Sequence, residues 1–148
     1  MTARLLVDTN VLVYAYDSAD AARQERAFAI LDELATSSRG VLSVQVLAEF
    51  VMAVTRKIAV PLDVASARKS VENYLRSWPV LELTGFIVLE AIRGVQEYRF
   101  SYWDAQIWAT AKLNQISVVL SEDFASGSSI EGVTFVNPFV PGFNLSFL

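Results

Sequence analysis

Arg4-Leu5-Leu6-Val7-Asp8-Thr9-Asn10 is a short apolar run that ends on a carboxylate followed by two small polar residues. Three successive apolar positions, with no alternation, predict a strand buried on both faces. Asp8 then stands at the strand's carboxyl end, and Thr9-Asn10 can cap a short helix through Tyr14. The same alternation of strand and helix repeats along the chain. Ala27, Ile30, Leu31 and Leu34 fall at helical spacing and predict a helix from Ala19 or Asp20 to residue 35. After Gly40, residues 41–44 predict a second strand, and residues 45–57 a helix with the stripe Val46, Phe50 and Val54. Leu62-Asp63 opens a helix reaching about Ser77, and residues 79–83 predict a third strand. Residues 85–99 and 102–115 predict two helices around a break at Phe100-Ser101. Residues 117–121 and 133–136 complete a set of five strands. Apolar strands interleaved with helices predict an α/β fold: one domain over residues 1–148, with a short parallel sheet of about five strands flanked by helices on both faces.

Composition narrows the chemistry. The 148 residues include no Cys and no His, which excludes disulfides, Cys/His zinc sites, Ser-His-Asp triads and ribonuclease chemistry run by a histidine pair. Hydrophobic residues make up 53% and charged residues 19%, with a mean hydropathy of +0.38, so a buried interface is expected. Arg4 and Asp8 interrupt the first apolar run and Lys112 a later one, so no membrane span or signal peptide is expected and the location expected is cytoplasmic. Sixteen acids against twelve bases give a net charge of −4. No global basic field draws the chain to nucleic acid, and any such binding must be local or metal-assisted.

Four acids stand in apolar surroundings: Asp8, Glu49 in Val-Leu-Ala-Glu-Phe-Val, Asp104 in Tyr-Trp-Asp-Ala-Gln-Ile-Trp, and Asp123 after Val-Val-Leu-Ser-Glu. Asp8 and Asp123 both follow strands, and in a parallel sheet these ends share one edge, where ligands bind near the reversal of strand order. Two carboxylates about 4 Å apart repel by roughly 4 kcal/mol at an effective dielectric near 20. A cluster of them therefore needs a cation or retained protons, and an all-oxygen donor set suits Mg²⁺ or Mn²⁺.

Asp8-Thr9-Asn10, Glu49 within Ser43-Val44-Gln45-Val46-Leu47-Ala48-Glu49-Phe50, Tyr102-Trp103-Asp104-Ala105, and Leu120-Ser121-Glu122-Asp123 together resemble the PIN-domain signature. The stretch from Ile130 to Phe139 is similar to the end of VapC-type toxins. The resemblance spans nearly the whole chain. It implies a Mg²⁺- or Mn²⁺-dependent endoribonuclease, the toxin of a toxin–antitoxin module, silenced by an antitoxin encoded nearby and working as a homodimer. Carried over residue by residue, it makes Asp8, Glu49, Asp104 and Asp123 the catalytic acids. Asp8 and Asp104 would hold the metal, with Glu49 and Asp123 acting directly or through water, and Ser121 would support the metal shell or a phosphate. Thr9 and Asn10 match small polar positions, whose role is helix capping or direct support of the site. Many members carry a further acid or Asn where this chain has Phe124-Ala125-Ser126-Gly127, a departure that bears on a second metal.

Arg23, Arg26, Arg39, Arg56, Lys57, Arg93 and Arg99 are candidate phosphate contacts. Two other readings compete. A phosphoacceptor signalling module of the receiver type is also α/β, but the third strand here ends in Glu82-Leu83-Thr84 without an Asp, and no Lys follows the fifth. A non-catalytic interaction protein would fit the greasy composition and Phe135, Phe139, Phe143 and Phe147, although Pro141 and Gly142 interrupt that spacing and favour core packing for it.

Overall fold

The computed structural model describes residues 3–148. Strands β1 (Leu5–Val7), β2 (Gly40–Ser43), β3 (Val80–Leu81), β4 (Val118–Leu120), β5 (Ser129–Ile130) and β6 (Val133–Val136) form one sheet in the order β3-β2-β1-β4-β6-β5. All pairings are parallel except that of β5 with β6. Helices α1 (Thr9–Tyr14), α2 (Ala21–Ser37), α3 (Val44–Arg56), α4 (Val64–Ser77), α5 (Gly85–Tyr98) and α6 (Tyr102–Leu113) make the connections. The chain builds outward from β1 through β2 to β3, then returns to lay β4 on the other side of β1. Strand order thus reverses between β1 and β4, and the crevice at their carboxyl ends is the place such sheets use for ligands.

Each helix starts on a side chain that accepts a hydrogen bond from the first turn: Asp8, Asp20, Ser43, Asp63, Thr84 and Ser101. These caps set boundaries that apolar pattern alone misplaces. Ser43 ends β2 and caps α3, so the second strand closes one residue earlier than its sequence suggests. The expected strand at residues 79–83 shrinks to Val80–Leu81, because Glu82 and Leu83 are exposed and Thr84 caps α5. The two-residue β5 is a strand beyond the five expected. It pairs with β6 around Glu131 and Gly132, both at positive φ (51° and 85°), the backbone a tight hairpin turn requires.

Leu5, Leu6 and Val7 are fully buried beside Val41, Leu42, Val119, Leu120 and Phe135, as strands covered on both faces must be. Trp108 anchors α6. Its ring lies where a Cβ on Gly94 of α5 would be only 2.9 Å away, and its Nε1 donates to the Ile130 carbonyl at 3.1 Å. Arg93 and Lys112 lie over the same ring and pair with Glu90 and Glu131. Hydrogen bonds from Arg93, then Lys112, hold both of those carboxyls down at about 2. Near the C-terminal segment, the guanidinium of Arg39 is buried and donates to the carbonyls of Ala3, Leu145 and Leu148. Phe135 is buried, Phe139 and Phe143 pack against the core, and Phe147 is exposed, so core packing accounts for three of the four. No helix among the described residues is long and apolar enough to cross a membrane.

Gly40 offers a direct test of the packing. A Cβ there would meet the Trp78 ring at 2.1 Å, so Gly40→Ala must push the indole off β2. The expected loss is about 1–3 kcal/mol in denaturant unfolding, typical of an overpacked site; an unchanged midpoint would contradict the packing described.

Candidate functional site

The four acids arrive at the switch-point crevice from four elements. Asp8 ends β1, and its backbone N–H donates to the Leu120 carbonyl of β4 at 2.9 Å, which fixes the two strand ends together. Its side chain is nearly enclosed, with 4% of the residue exposed. One carboxylate oxygen accepts from the Thr9 backbone N–H at 2.7 Å and the other from the Ser121 hydroxyl at 2.7 Å. Asp123 follows β4, and its backbone N–H donates to the Ser121 oxygen at 3.1 Å. Ser121 therefore joins Asp8 to the Asp123 loop.

Thr9 and Asn10 do not cap α1. The cap falls one residue earlier, on Asp8 itself, because the strand ends at Val7 and leaves the carboxylate over the first turn. This frees both side chains to reach across the crevice. The Thr9 hydroxyl donates to Glu49 Oε2 at 2.7 Å. Asn10 donates to the Ser121 oxygen at 3.2 Å and accepts from the Glu122 backbone N–H at 3.2 Å. On α3, the other oxygen of Glu49 accepts from Gln45 at 3.2 Å. The Gln45 amide also donates to the Trp103 carbonyl and accepts from Gln106, which in turn accepts from the Tyr102 hydroxyl. This buried amide relay ties Glu49 on α3 to the first turn of α6, which carries Asp104.

Gln45 and Gln106 were not singled out from sequence. The signal that marked the acids, a polar side chain among apolar neighbours, applies to both. Glu122 also has a structural place: it accepts from Arg23 at 2.7 Å and from the Tyr14 hydroxyl at 2.5 Å, tying the segment before Asp123 to α1 and α2. Burial, then the Glu122 hydrogen bond, pushes the Tyr14 hydroxyl up to about 12.

Every acid in an ion pair among the described residues lies outside the four: Asp20, Glu72, Glu90, Glu97, Glu122 and Glu131. Asp8, Glu49, Asp104 and Asp123 face one another without a cation. Burial pushes the Asp8 carboxyl up to about 6 against the hydrogen bonds from Ser121 and Thr9, and the charges of Asp123 and Glu49 push the same way. Burial also raises Asp104, opposed by hydrogen bonding to Ser101 and reinforced by Asp123 and Glu49. Asp8 and Asp104 thus each feel the charges of Asp123 and Glu49. Among the described residues no three acids stand close enough together to form a ready ligand group. Glu49 and Asp104 are half-buried and Asp123 is exposed, while Asp8 is buried. An oxygen-only donor set with unbalanced negative charge fits Mg²⁺ or Mn²⁺.

The basic candidates divide sharply. Arg39 is spent on three backbone carbonyls, Arg26 on those of Pro138 and Phe143, Arg23 on Asp20 and Glu122, and Arg93 on three glutamates. The Asp20, Glu90 and Glu97 pairs lie three or four residues away, within the same helix or at its cap, whereas Glu122, Glu131 and the backbone carbonyls are distant along the chain and have no local signal in the sequence. Arg56, Lys57 and Arg99 make no ion pair among the described residues, and of these Lys57 lies beside Glu49 and Thr9 in a shared cavity.

Asp8 carries a testable consequence. Its folded pKa of about 6 exceeds the ordinary 3.8, so between these values the folded state holds the proton more tightly than the unfolded state. Stability is unaffected below that window and falls as pH rises through it, by about 3 kcal/mol once pH exceeds 6. In metal-free solution, Asp8→Asn should gain on the parent from pH 4 to pH 7 by about this amount. The contributions of Glu90 and Glu131 act at lower pH and are common to both chains. A parent-to-variant difference that stays flat across this range would contradict the assignment.

The fold has counterparts among solved structures, and the sequence matches a known family model. No curated protein sequence matches the chain. Among solved structures, the FitAB complex bound to a DNA fragment superposes with a TM-score of 0.71 at 20% identity, covering 94% of this chain and 98% of the other. VapC20 of Mycobacterium tuberculosis, a toxin that cleaves the sarcin–ricin loop, gives 0.64 at 19% identity, with 86% and 97% covered. DNA-bound VapBC from Salmonella typhimurium gives 0.64 at 16% identity, with 90% and 97% covered. These likenesses establish a shared fold. The PIN domain family model matches residues 5–125, from β1 to just past Asp123, and the chain belongs to the PIN domain family.

Proposed function

We propose that this protein is a Mg²⁺- or Mn²⁺-dependent endoribonuclease and the toxin of a toxin–antitoxin pair, acting in the cytoplasm. The observation that carries this reading is the set of four carboxylates without cationic partners at the switch point of a PIN fold. Sarcin–ricin-loop cleavage by a fold relative, VapC20, supports RNA as the substrate class. Asp8 and Asp104 would hold the ion, with Glu49 and Asp123 completing its shell directly or through water. When bound, the ion lowers the pKa of water and offsets charge on the scissile phosphate. The chain's own groups supply the frame. Ser121 and the Thr9 N–H fix both oxygens of Asp8, Thr9 and Gln45 orient Glu49, and the Tyr102–Gln106–Gln45 relay sets the first turn of α6 against α3. Water attacks phosphorus in line and the bond to the 3′ oxygen breaks, leaving a 5′-phosphate and a 3′-hydroxyl. No histidine is present and the nucleophile is water, so the RNA 2′-hydroxyl takes no part.

Two partners belong to the same reading. An antitoxin that silences a carboxylate cluster most simply presents an Arg or Lys to Asp8 and Asp104, while its apolar residues cover exposed grease. A homodimer is the second. Phe86 and Leu89, one helical turn apart and exposed on α5, suit it better than water does.

Asp8→Asn and Asp104→Asn should each lower Mn²⁺-dependent cleavage of RNA by at least about 100-fold while the protein stays folded, since each removes a charged ligand at the reaction centre. The parent's products should ligate at their 5′ ends without prior kinase treatment. Activity within twofold of the parent in both variants, or 2′,3′-cyclic phosphate ends, would overturn the proposal.

A further inference from the structure

A cavity of about 710 Å³ opens directly beside the carboxylates, sharing Thr9 and Glu49 with them. Its walls are mostly apolar: Val44, Ala48, Met52 and Ala53 from α3, Leu83 ahead of α5, and Trp103 from the first turn of α6. Trp103 is 61% exposed although it precedes Asp104 in a helix whose residues 105–111 are all buried. Tyr102 meets the indole edge-on at 5.1 Å between ring centres, and the Trp103 carbonyl is held by Gln45. Met52 and Leu83 are likewise exposed on the rim. Lys57, at the end of α3, is the one cationic residue of the lining and makes no ion pair among the described residues. The network that orients Glu49 does not use the Trp103 indole, the Met52 side chain or Lys57.

We propose that this cavity is a nucleobase subsite, in which an unpaired base near the phosphate held at the carboxylates stacks on Trp103 while Lys57 contacts a neighbouring phosphate. The inference rests on the nuclease reading and deepens it. Recognition of RNA outside regular helices works through splayed bases on aromatic side chains, with cations following the backbone. An exposed indole beside the acids, apolar lining from Met52 and Leu83, and a lone cation in the lining meet those requirements. Continuity with the acids favours a strand that runs from the cluster into the cavity. Stacking tolerates any base, so selectivity here is for single-stranded over duplex RNA.

Two readouts test the subsite with the full chain. In steady-state cleavage of a short single-stranded oligoribonucleotide with Mn²⁺, Trp103→Ala should raise KM about 10- to 100-fold, the range of one lost stacking contact. kcat should stay within about threefold, because binding common to ground and transition states is what is removed. Trp103→Phe should restore most of the loss, which a merely structural role of the indole would not predict. In the chain carrying Asp104→Asn, the same oligonucleotide should quench tryptophan fluorescence, while a counterpart with abasic residues should quench far less. That signal should vanish when Trp103→Phe is added. Melting of each variant controls for folding. A parent that cleaves RNA while Trp103→Ala keeps its KM within twofold overturns the subsite alone. Loss of antitoxin binding by Trp103→Ala with cleavage intact would make the cavity a protein-docking surface and also overturn it. A parent that leaves RNA whole in Mn²⁺ overturns the nuclease reading and the subsite together.

Discussion

Like charges brought together in a partly desolvated crevice repel, by roughly 4 kcal/mol for two carboxylates 4 Å apart at an effective dielectric near 20. The carboxyl edge of this sheet is arranged around that repulsion. Asp8 cannot move away, because its backbone is pinned to Leu120 and both its oxygens accept hydrogen bonds. The rise of its carboxyl to about 6 shows how far burial and its neighbours work against its charge. Neutral donors such as Ser121, Thr9, Gln45 and Asn10 hold the site in place without cancelling its negative field. The arginines that could cancel it are held elsewhere, Arg23 by Glu122 and Asp20 and Arg93 by the α5–α6 network. The proposed cation is the countercharge that these side chains do not supply.

The remainder of the fold serves that edge. Parallel pairing of β1 with β4 brings Asp8 and Asp123 together across more than a hundred residues of chain. The Ser43 and Ser101 caps start α3 and α6 where Glu49 and Asp104 face the same crevice. Trp108, wedged over Gly94 and flanked by Arg93 and Lys112, keeps α6 packed on α5 and so fixes the helix that carries Asp104. Stability and site geometry are thus coupled through packing as well as through Asp8, which caps α1.

Much of this was legible from residues alone because the informative signals are local. Leu5-Leu6-Val7 reads as a doubly buried strand from its lack of alternation, and an acid such as Asp104 between Trp103 and Ala105 is conspicuous wherever the helix goes. What escaped depends on contacts between distant parts of the chain. Thr9 and Asn10 could be read as caps or as site residues until the cap was seen to fall on Asp8. The seven basic candidates were indistinguishable in sequence, since nothing near Arg39 or Arg26 announces carbonyl partners a hundred residues away. The β5–β6 hairpin was missed because its turn is Glu131-Gly132, and a glutamate at positive φ lacks the Asn-Gly or Asp-Gly signature of such turns. The amide relay of Gln45 and Gln106 lacks the charge that makes the acids conspicuous, although both amides stand in equally apolar settings.

The most direct test of the central claim, that the four carboxylates form a cation site, is a melting series of the parent and Asp8→Asn in EDTA and in Mn²⁺. An ion that binds only the folded state at a hundred times its Kd adds about 2.7 kcal/mol, a rise of very roughly 5–10 °C for a chain of this size. The parent should show that rise, and Asp8→Asn should melt at or above the parent in EDTA while responding less to Mn²⁺. A parent indifferent to Mn²⁺, with a variant that melts below it in EDTA, would mean that Asp8 is a structural cap and that the acids do not form a metal centre.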